Sequence, residues 1–147
     1  MSVRTARPAD ATAILELADA FYREDGFRTG RERLEEHLRH LMTSDDARVA
    51  VVDERGGIVA FAISTSSYGL ENGRIAELED LYVVPEQRRR GLAQALIHDS
   101  ARWARTIGAA HLEIVIAPNG HDVRHLYRYY QARGFEDEGR RILAMPL

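Results

Sequence analysis

Apolar positions recur along this chain with two periods, near 3.6 and near 2, and each change of period marks a new element. Ser2–Ala6 reads as a short strand. Pro8 and Asp10 introduce a helix, with Asp10 as its expected cap, and Ile14, Leu17, Ala18 and Phe21 supply its buried face at i, i+3, i+4 and i+7. This helix is expected to give out in the polar run that begins at Tyr22. Thr29 and Glu32 have the spacing of a capping box for a second helix, with Leu34, Leu38 and Leu41 facing the core. Ala47–Asp53 and Ile58–Thr65 read as strands around the hairpin signal Glu54-Arg55-Gly56-Gly57. Ser66–Gly73 reads as a polar loop. Arg74–Val84 is the next strand, stopped by Pro85, which has no N–H to give to a sheet.

A longer helix follows. Ala93, Ile97, Ala101 and Ala104 recur at helical spacing from Gly91 to about Thr106, and Leu92, Leu96 and Trp103 widen the stripe. Gly108 ends it. His111–Ile116 reads as a buried strand. Val123, Leu126, Tyr127 and Tyr130 form the face of a last helix that Gly134 closes. Phe135–Glu138 and Arg141–Met145 read as a final hairpin around Gly139. The order is β-α-α-β-β-β-α-β-α-β-β, which predicts an α/β single domain over residues 1–147, with a mixed sheet and helices on both faces.

Composition removes several chemistries. There is no cysteine, so disulfides, thiol catalysis and thiolate metal sites are excluded. All 20 basic residues are arginine, which excludes a lysine-bearing phosphate loop and a Schiff base. The net charge of −3 gives no global attraction to nucleic acid. No run is long and apolar enough to span a membrane, and the charged, proline-broken N-terminal stretch is unlike a signal peptide. A cytoplasmic protein is expected, and the abundance of Arg and Ala suits a GC-rich bacterium.

The most informative stretch runs from Glu77 to Ala104. Arg88-Arg89-Arg90-Gly91-Leu92-Ala93 puts small residues where the first N–H groups of a helix have no partner, beside three cationic side chains. Such a start suits a phosphate or pyrophosphate. Read alone it is better explained by a solvated basic turn capping an ordinary helix. It follows, however, a strand ending Leu81-Tyr82-Val83-Val84-Pro85. Strand end and turn together resemble the acetyl-CoA-binding motif of the GCN5-related N-acetyltransferase (GNAT) family. Tyr130-x-x-x-Gly134-Phe135 resembles that family's second motif, and the element order is the family's own.

The resemblance implies an acetyl-CoA-dependent N-acetyltransferase, with acetyl-CoA as co-substrate and no metal. Backbone N–H groups of Arg89, Arg90, Gly91, Leu92 and Ala93, extending to Gln94, would hold the pyrophosphate, and Arg88, Arg89 or Arg90 would add charge. Leu81, Tyr82 and Val83 would pair with the pantetheine arm as if it were a strand, with the N–H near Val83 polarising the thioester carbonyl. Glu79 is the first choice for the base, directly or through water. Glu77 lies on the same strand face and could share the role or attract a cation. Tyr130 is the acid that protonates the leaving thiolate, while also reading as a core residue of its helix. Asn119 is a frequent CoA contact in the family, but the loop here is a few residues longer, and its role stays open.

The partner implied is a small amine acceptor, weakly favoured to be cationic by Glu24, Asp25, Glu77 and Glu79. Polyamine, aminoglycoside, amino acid and protein N-terminus all stay open, and a homodimer is the family-based expectation. The alternative is a non-catalytic acyl-CoA-binding or regulatory module of the same fold, which would need the Gly91 turn but not Glu79 and Tyr130. Tyr22, Glu24 and Asp25 are expected in a loop that overhangs the acceptor site in the family, each taken singly being better read as a solvated turn residue. His37 and His40 lack a third ligand, and His121 and His125, at i and i+4, suit polar surface or substrate contact better than a metal.

Overall fold

The computed structural model describes residues 2–26, 29–118 and 121–147. The chain divides into two compact units, Met1–Val115 and Ile116–Leu147. The first holds a five-stranded sheet in the order β1-β2-β3-β4-β5, formed by Ser2–Thr5, Ala47–Glu54, Gly57–Gly69, Gly73–Val83 and Leu112–Ile114. Neighbours pair antiparallel except β4 and β5, which run parallel. The mixed sheet is the expected one.

Residues directly opposite each other across a ladder share a face. Val49 and Val51 of β2, Phe61 and Ile63 of β3 and Tyr82 of β4 therefore point one way. They pack with Ile14 and Leu15 of α1 (Ala11–Glu24) and Leu34 and Leu38 of α2 (Arg31–Thr43). Ala50, Val52, Ala60 and Ala62 are left on the opposite face, and α3 (Leu92–Thr106) packs on these strands with Leu92, Leu96 and Ile97 buried. Small side chains on that face let the helix approach closely. One buried ion pair ties the layers: Asp99 on α3 is 2% exposed and receives Arg48 of β2 through two bonds, 2.6 and 2.8 Å.

Several boundaries differ from expectation. α1 continues through Tyr22 to Glu24, because Phe21 and Tyr22 keep packing on the core where a polar loop was expected. Asp10 does not cap α1 with its side chain. Its carboxylate accepts the Arg7 N–H (2.6 Å) and the Arg4 guanidinium (2.7 and 3.0 Å), closing a 3-10 turn at Pro8–Asp10. The expected capping box at Thr29 is absent, since α2 starts one residue later with Gly30 as its cap. β3 runs on through most of the expected loop to Gly69, paired with the start of β4. β5 is only three residues long and half-buried.

The second unit contains α4 (Arg124–Gln131). This helix begins after His121, so His121 and His125 are not one turn apart on it. The expected final hairpin is not formed. Gly139 makes a turn, with its N–H bonded to Asp137 (2.8 Å), but residues 135–147 join no ladder, and Ile142, Leu143 and Met145 are exposed. A two-stranded ribbon without a sheet to join is marginal, so an alternating pattern alone does not make strands. Within this unit Gly134 takes φ +94°, and the Phe135 N–H closes on the Tyr130 carbonyl at 3.2 Å. The Tyr130 and Phe135 rings meet edge to face at 5.5 Å.

Candidate active site

The turn between β4 and α3 holds a cluster of unpaired donors. Arg89 and Gly91 both take left-handed backbone conformations, φ +64° and +81°. The first helical hydrogen bond of α3 runs from the Ala95 N–H to the Gly91 carbonyl (3.0 Å). Among the described residues, no acceptor meets the N–H groups of Arg89 through Gln94. A Cβ built on Gly91 would touch nothing within 4 Å, so the protein's own packing does not require glycine there. The conformation does, and so would a ligand lying against the backbone. A helix N-terminus with this many free donors fits a diphosphate.

The three arginines part company in the structure. Arg88 is engaged: its two Nη atoms meet the Glu24 carboxylate at 3.0 and 2.9 Å, its Nε donates to the Val83 carbonyl (3.0 Å), and it lies 5.5 Å over the Tyr82 ring. This hydrogen bonding holds the Glu24 carboxyl below its ordinary range. Arg90 is bound to Glu54 (2.9 Å) and Gln87. Arg89 is exposed and forms no ion pair among the described residues, so it is the one already available to an anion. Arg88 reads as a brace between the end of β4 and the end of α1.

β4 carries an irregularity at the middle of its length. Leu78 lies opposite Ser64, and Asp80 lies opposite Ile63, so Glu79 is an extra residue with no partner of its own. Such a bulge breaks the alternation of faces. Glu77, Glu79 and Asp80 consequently all lie on the α1–α2 side, and the adjacent Glu79 and Asp80 line one cavity. The ladder to β5 ends at the pair Leu78–Ile114, so from Glu79 to Val83 the other edge of β4 pairs with no strand among the described residues. An open backbone edge beside Leu81, Tyr82 and Val83 is what an extended amide-bearing ligand would need.

The carboxylates differ in their surroundings. Glu79 is exposed and accepts a hydrogen bond from Thr65 Oγ1 at 2.6 Å. Burial, then the charges of Glu79 and Glu113, push the Glu77 carboxyl up. Asp80 Oδ1 accepts the Tyr22 hydroxyl at 2.6 Å. Burial pushes the Asp80 carboxyl up, Glu79 adds to the effect, and the Tyr22 hydrogen bond opposes it. The cavity in front of these groups has a volume of 280 Å³. Tyr22, Thr65, Glu79 and Asp80 were separated by the sequence reading into loop, strand and unassigned residues, and the structure brings them together. Asp80 was missed altogether, because period-2 alternation would turn it away from Glu79; only the bulge places both on one side.

In the second unit, burial pushes the Tyr130 phenol up to about 12. Asn119, the other expected contact, lies outside the described residues.

Known proteins share sequence or fold with this chain. The acetyltransferase (GNAT) family matches residues 11–135. The uncharacterized N-acetyltransferase YhfO of Bacillus subtilis is 26% identical over 142 residues, which cover 94% of this chain and 91% of that one. Streptothricin acetyltransferase of Streptomyces lavendulae is 27% identical, covering 97% of this chain and 93% of its own. Among solved structures, an aminoglycoside 6'-N-acetyltransferase from Acinetobacter haemolyticus superposes with a TM-score of 0.82 at 18% identity, over 100% of this chain and 98% of the other. The AAC(6')-Iy complex with a bisubstrate analogue of CoA and acetylneamine reaches 0.85 at 19%, over 99% and 97%.

Proposed function

Because the chain belongs to the acetyltransferase (GNAT) family and is thereby an acyltransferase, we propose that it moves an acetyl group from acetyl-CoA to the primary amine of a small acceptor, by direct attack in a ternary complex. The observation that carries this reading is the run of unmet N–H groups from Arg89 to Gln94 beside the open edge and bulge of β4. A sensor of acyl-CoA would need the donors and the open edge but not Glu79 and Tyr130.

Acetyl-CoA, when bound, supplies a thioester carbonyl for the amine to attack and a thiolate to depart. The turn would hold its diphosphate with backbone donors, with Arg89 adding charge. The free edge at Leu81, Tyr82 and Val83 would align the pantetheine arm, and an N–H near Val83 would stabilise the developing oxyanion. Glu79, exposed and oriented by Thr65, would take the proton that the amine sheds on attack, directly or through one water. Glu77, whose carboxyl is pushed up by burial and then by the charges of Glu79 and Glu113, would support this role. Tyr130 would donate to the departing thiolate. A phenol raised to about 12 keeps its proton throughout the working range, so it acts as a hydrogen-bond donor more readily than as a full acid.

The experiment is thiol release from acetyl-CoA across a panel of amines. Amine-dependent release supports a transferase. Tight acetyl-CoA binding with no release from any amine supports the sensor alternative.

A further inference from the structure

The cavity between α1, α2 and the sheet has a composition that says more about the acceptor. Its inner wall is Ile14, Leu15, Leu34, Leu38, Phe61 and Ile63, all under 9% exposed. Four of its polar groups are held together by contacts: Glu79 and Asp80 are adjacent on β4, Thr65 of β3 bonds Glu79 and Tyr22 of α1 bonds Asp80, while His37 of α2 also lines the cavity. Glu79 is exposed, so the acid-bearing part of the cavity is its mouth. The cavity is a cleft of 280 Å³ that opens to solvent at Glu79 and runs in against buried apolar side chains. Its size is at the small end of ligand pockets.

We propose that this cavity receives the acceptor, that the acceptor is a primary amine on a single apolar body, and that Asp80, held by Tyr22, anchors its ammonium group at the mouth. The proposal rests on the acetyltransferase reading and narrows it. The two cavity-lining acids lie side by side, and among the described residues the inner wall offers no side-chain acceptor to a second or third ammonium. Burying an unpaired charge against that wall is strongly unfavourable, whereas an alkyl or aryl body gains by leaving water. A polyamine or an aminoglycoside, with cationic groups spread along its length, is therefore the wrong shape and polarity. Asp80 is suited to the anchoring role by position: one carboxylate oxygen takes the Tyr22 hydroxyl at 2.6 Å, and the group lies next to Glu79, which remains at hand for the proton.

The groups facing Asp80 set the sign of its pH response. The Tyr22 hydroxyl stabilises the ionised form, while Glu79 and burial disfavour it. Asp25 acts on Tyr22, and His37 of α2 lines the same cavity. Removing the Tyr22 hydroxyl therefore raises the pH at which the anchor ionises.

The test is a set of steady-state measurements with saturating acetyl-CoA, using hexylamine and phenethylamine against spermidine and kanamycin. Wild type is expected to favour the two apolar amines by about tenfold or more in kcat/KM. Asp80→Asn should raise KM for phenethylamine about tenfold with a much smaller change in kcat. Tyr22→Phe should move the acidic limb of kcat/KM to higher pH, which a merely structural role would not do. Ala18→Leu, which fills the cavity from α1, should reject phenethylamine while keeping ethylamine. An acetyl-CoA titration on each variant confirms that it is folded. Preference for the polycations, or an unchanged KM in Asp80→Asn, overturns the proposal while leaving the transferase standing. So does calorimetry in which neither apolar amine binds. Failure of wild type to bind acetyl-CoA overturns the transferase reading itself, and this proposal with it.

Discussion

At the scale of single residues, the site depends on neighbours that differ sharply in environment. Glu79 and Asp80 are adjacent, yet one is exposed and bonded to Thr65 while the other is largely withdrawn from water and bonded to Tyr22. If Glu79 is the proton acceptor, Glu79→Gln should lower kcat by about a hundredfold and leave acetyl-CoA affinity as it was, measured by thiol release and calorimetry on one sample. Tyr130→Phe removes a donor from the leaving group and should lower kcat by about tenfold without changing KM for either substrate. Unaltered turnover would take Tyr130 out of the mechanism. Side-chain partners were the least legible feature of the sequence. Arg88 was expected on the pyrophosphate, but its bidentate partner Glu24 stands 64 positions away, and nothing local could reveal that pairing.

At the scale of elements, what was legible was local. The Gly56-Gly57 hairpin, the stop at Pro85 and the glycine start of α3 each follow from backbone preferences of one or two residues, and each is present. The bulge at Glu79 was not legible, because it depends on how β3 and β4 slide into register. The last two strands were predicted from alternation, but a strand exists only with a partner, and residues 135–147 have none in a ladder. The joint between α3 and the sheet yields a stability prediction. Asp99 is buried at 2% exposure, and its other ion partner, Arg102, is itself mostly solvated. Arg48→Met should cost about 3 kcal/mol by leaving a carboxylate poorly compensated, read from urea unfolding. A loss under 1 kcal/mol would mean that Arg102 compensates.

At the scale of the whole molecule, pH should act first through the network that ties β1 to its surroundings. Arg4 bonds Asp10 and Asp53, and its hydrogen bonds hold Asp10 down to about 2, from an ordinary 3.8. A carboxylate lowered in the folded state binds its proton more weakly there than when unfolded. Its stabilising effect is therefore full above about pH 4 and is lost as pH falls toward 2. Asp10→Asn should flatten the fall in urea stability across that window, and an unchanged slope would contradict the assignment.

The central claim is that the turn from Arg89 to Gln94 is a diphosphate site serving acetyl transfer. The most direct test is calorimetric titration of acetyl-CoA into the wild type and Gly91→Glu, each checked for folding by thermal melting. The account predicts saturable one-to-one binding to the wild type and loss of binding in the variant. A glutamate at Gly91 would have to adopt φ near +81° and would set a carboxylate among donors meant for an anion. Equal binding by both proteins, or binding by neither, would contradict it.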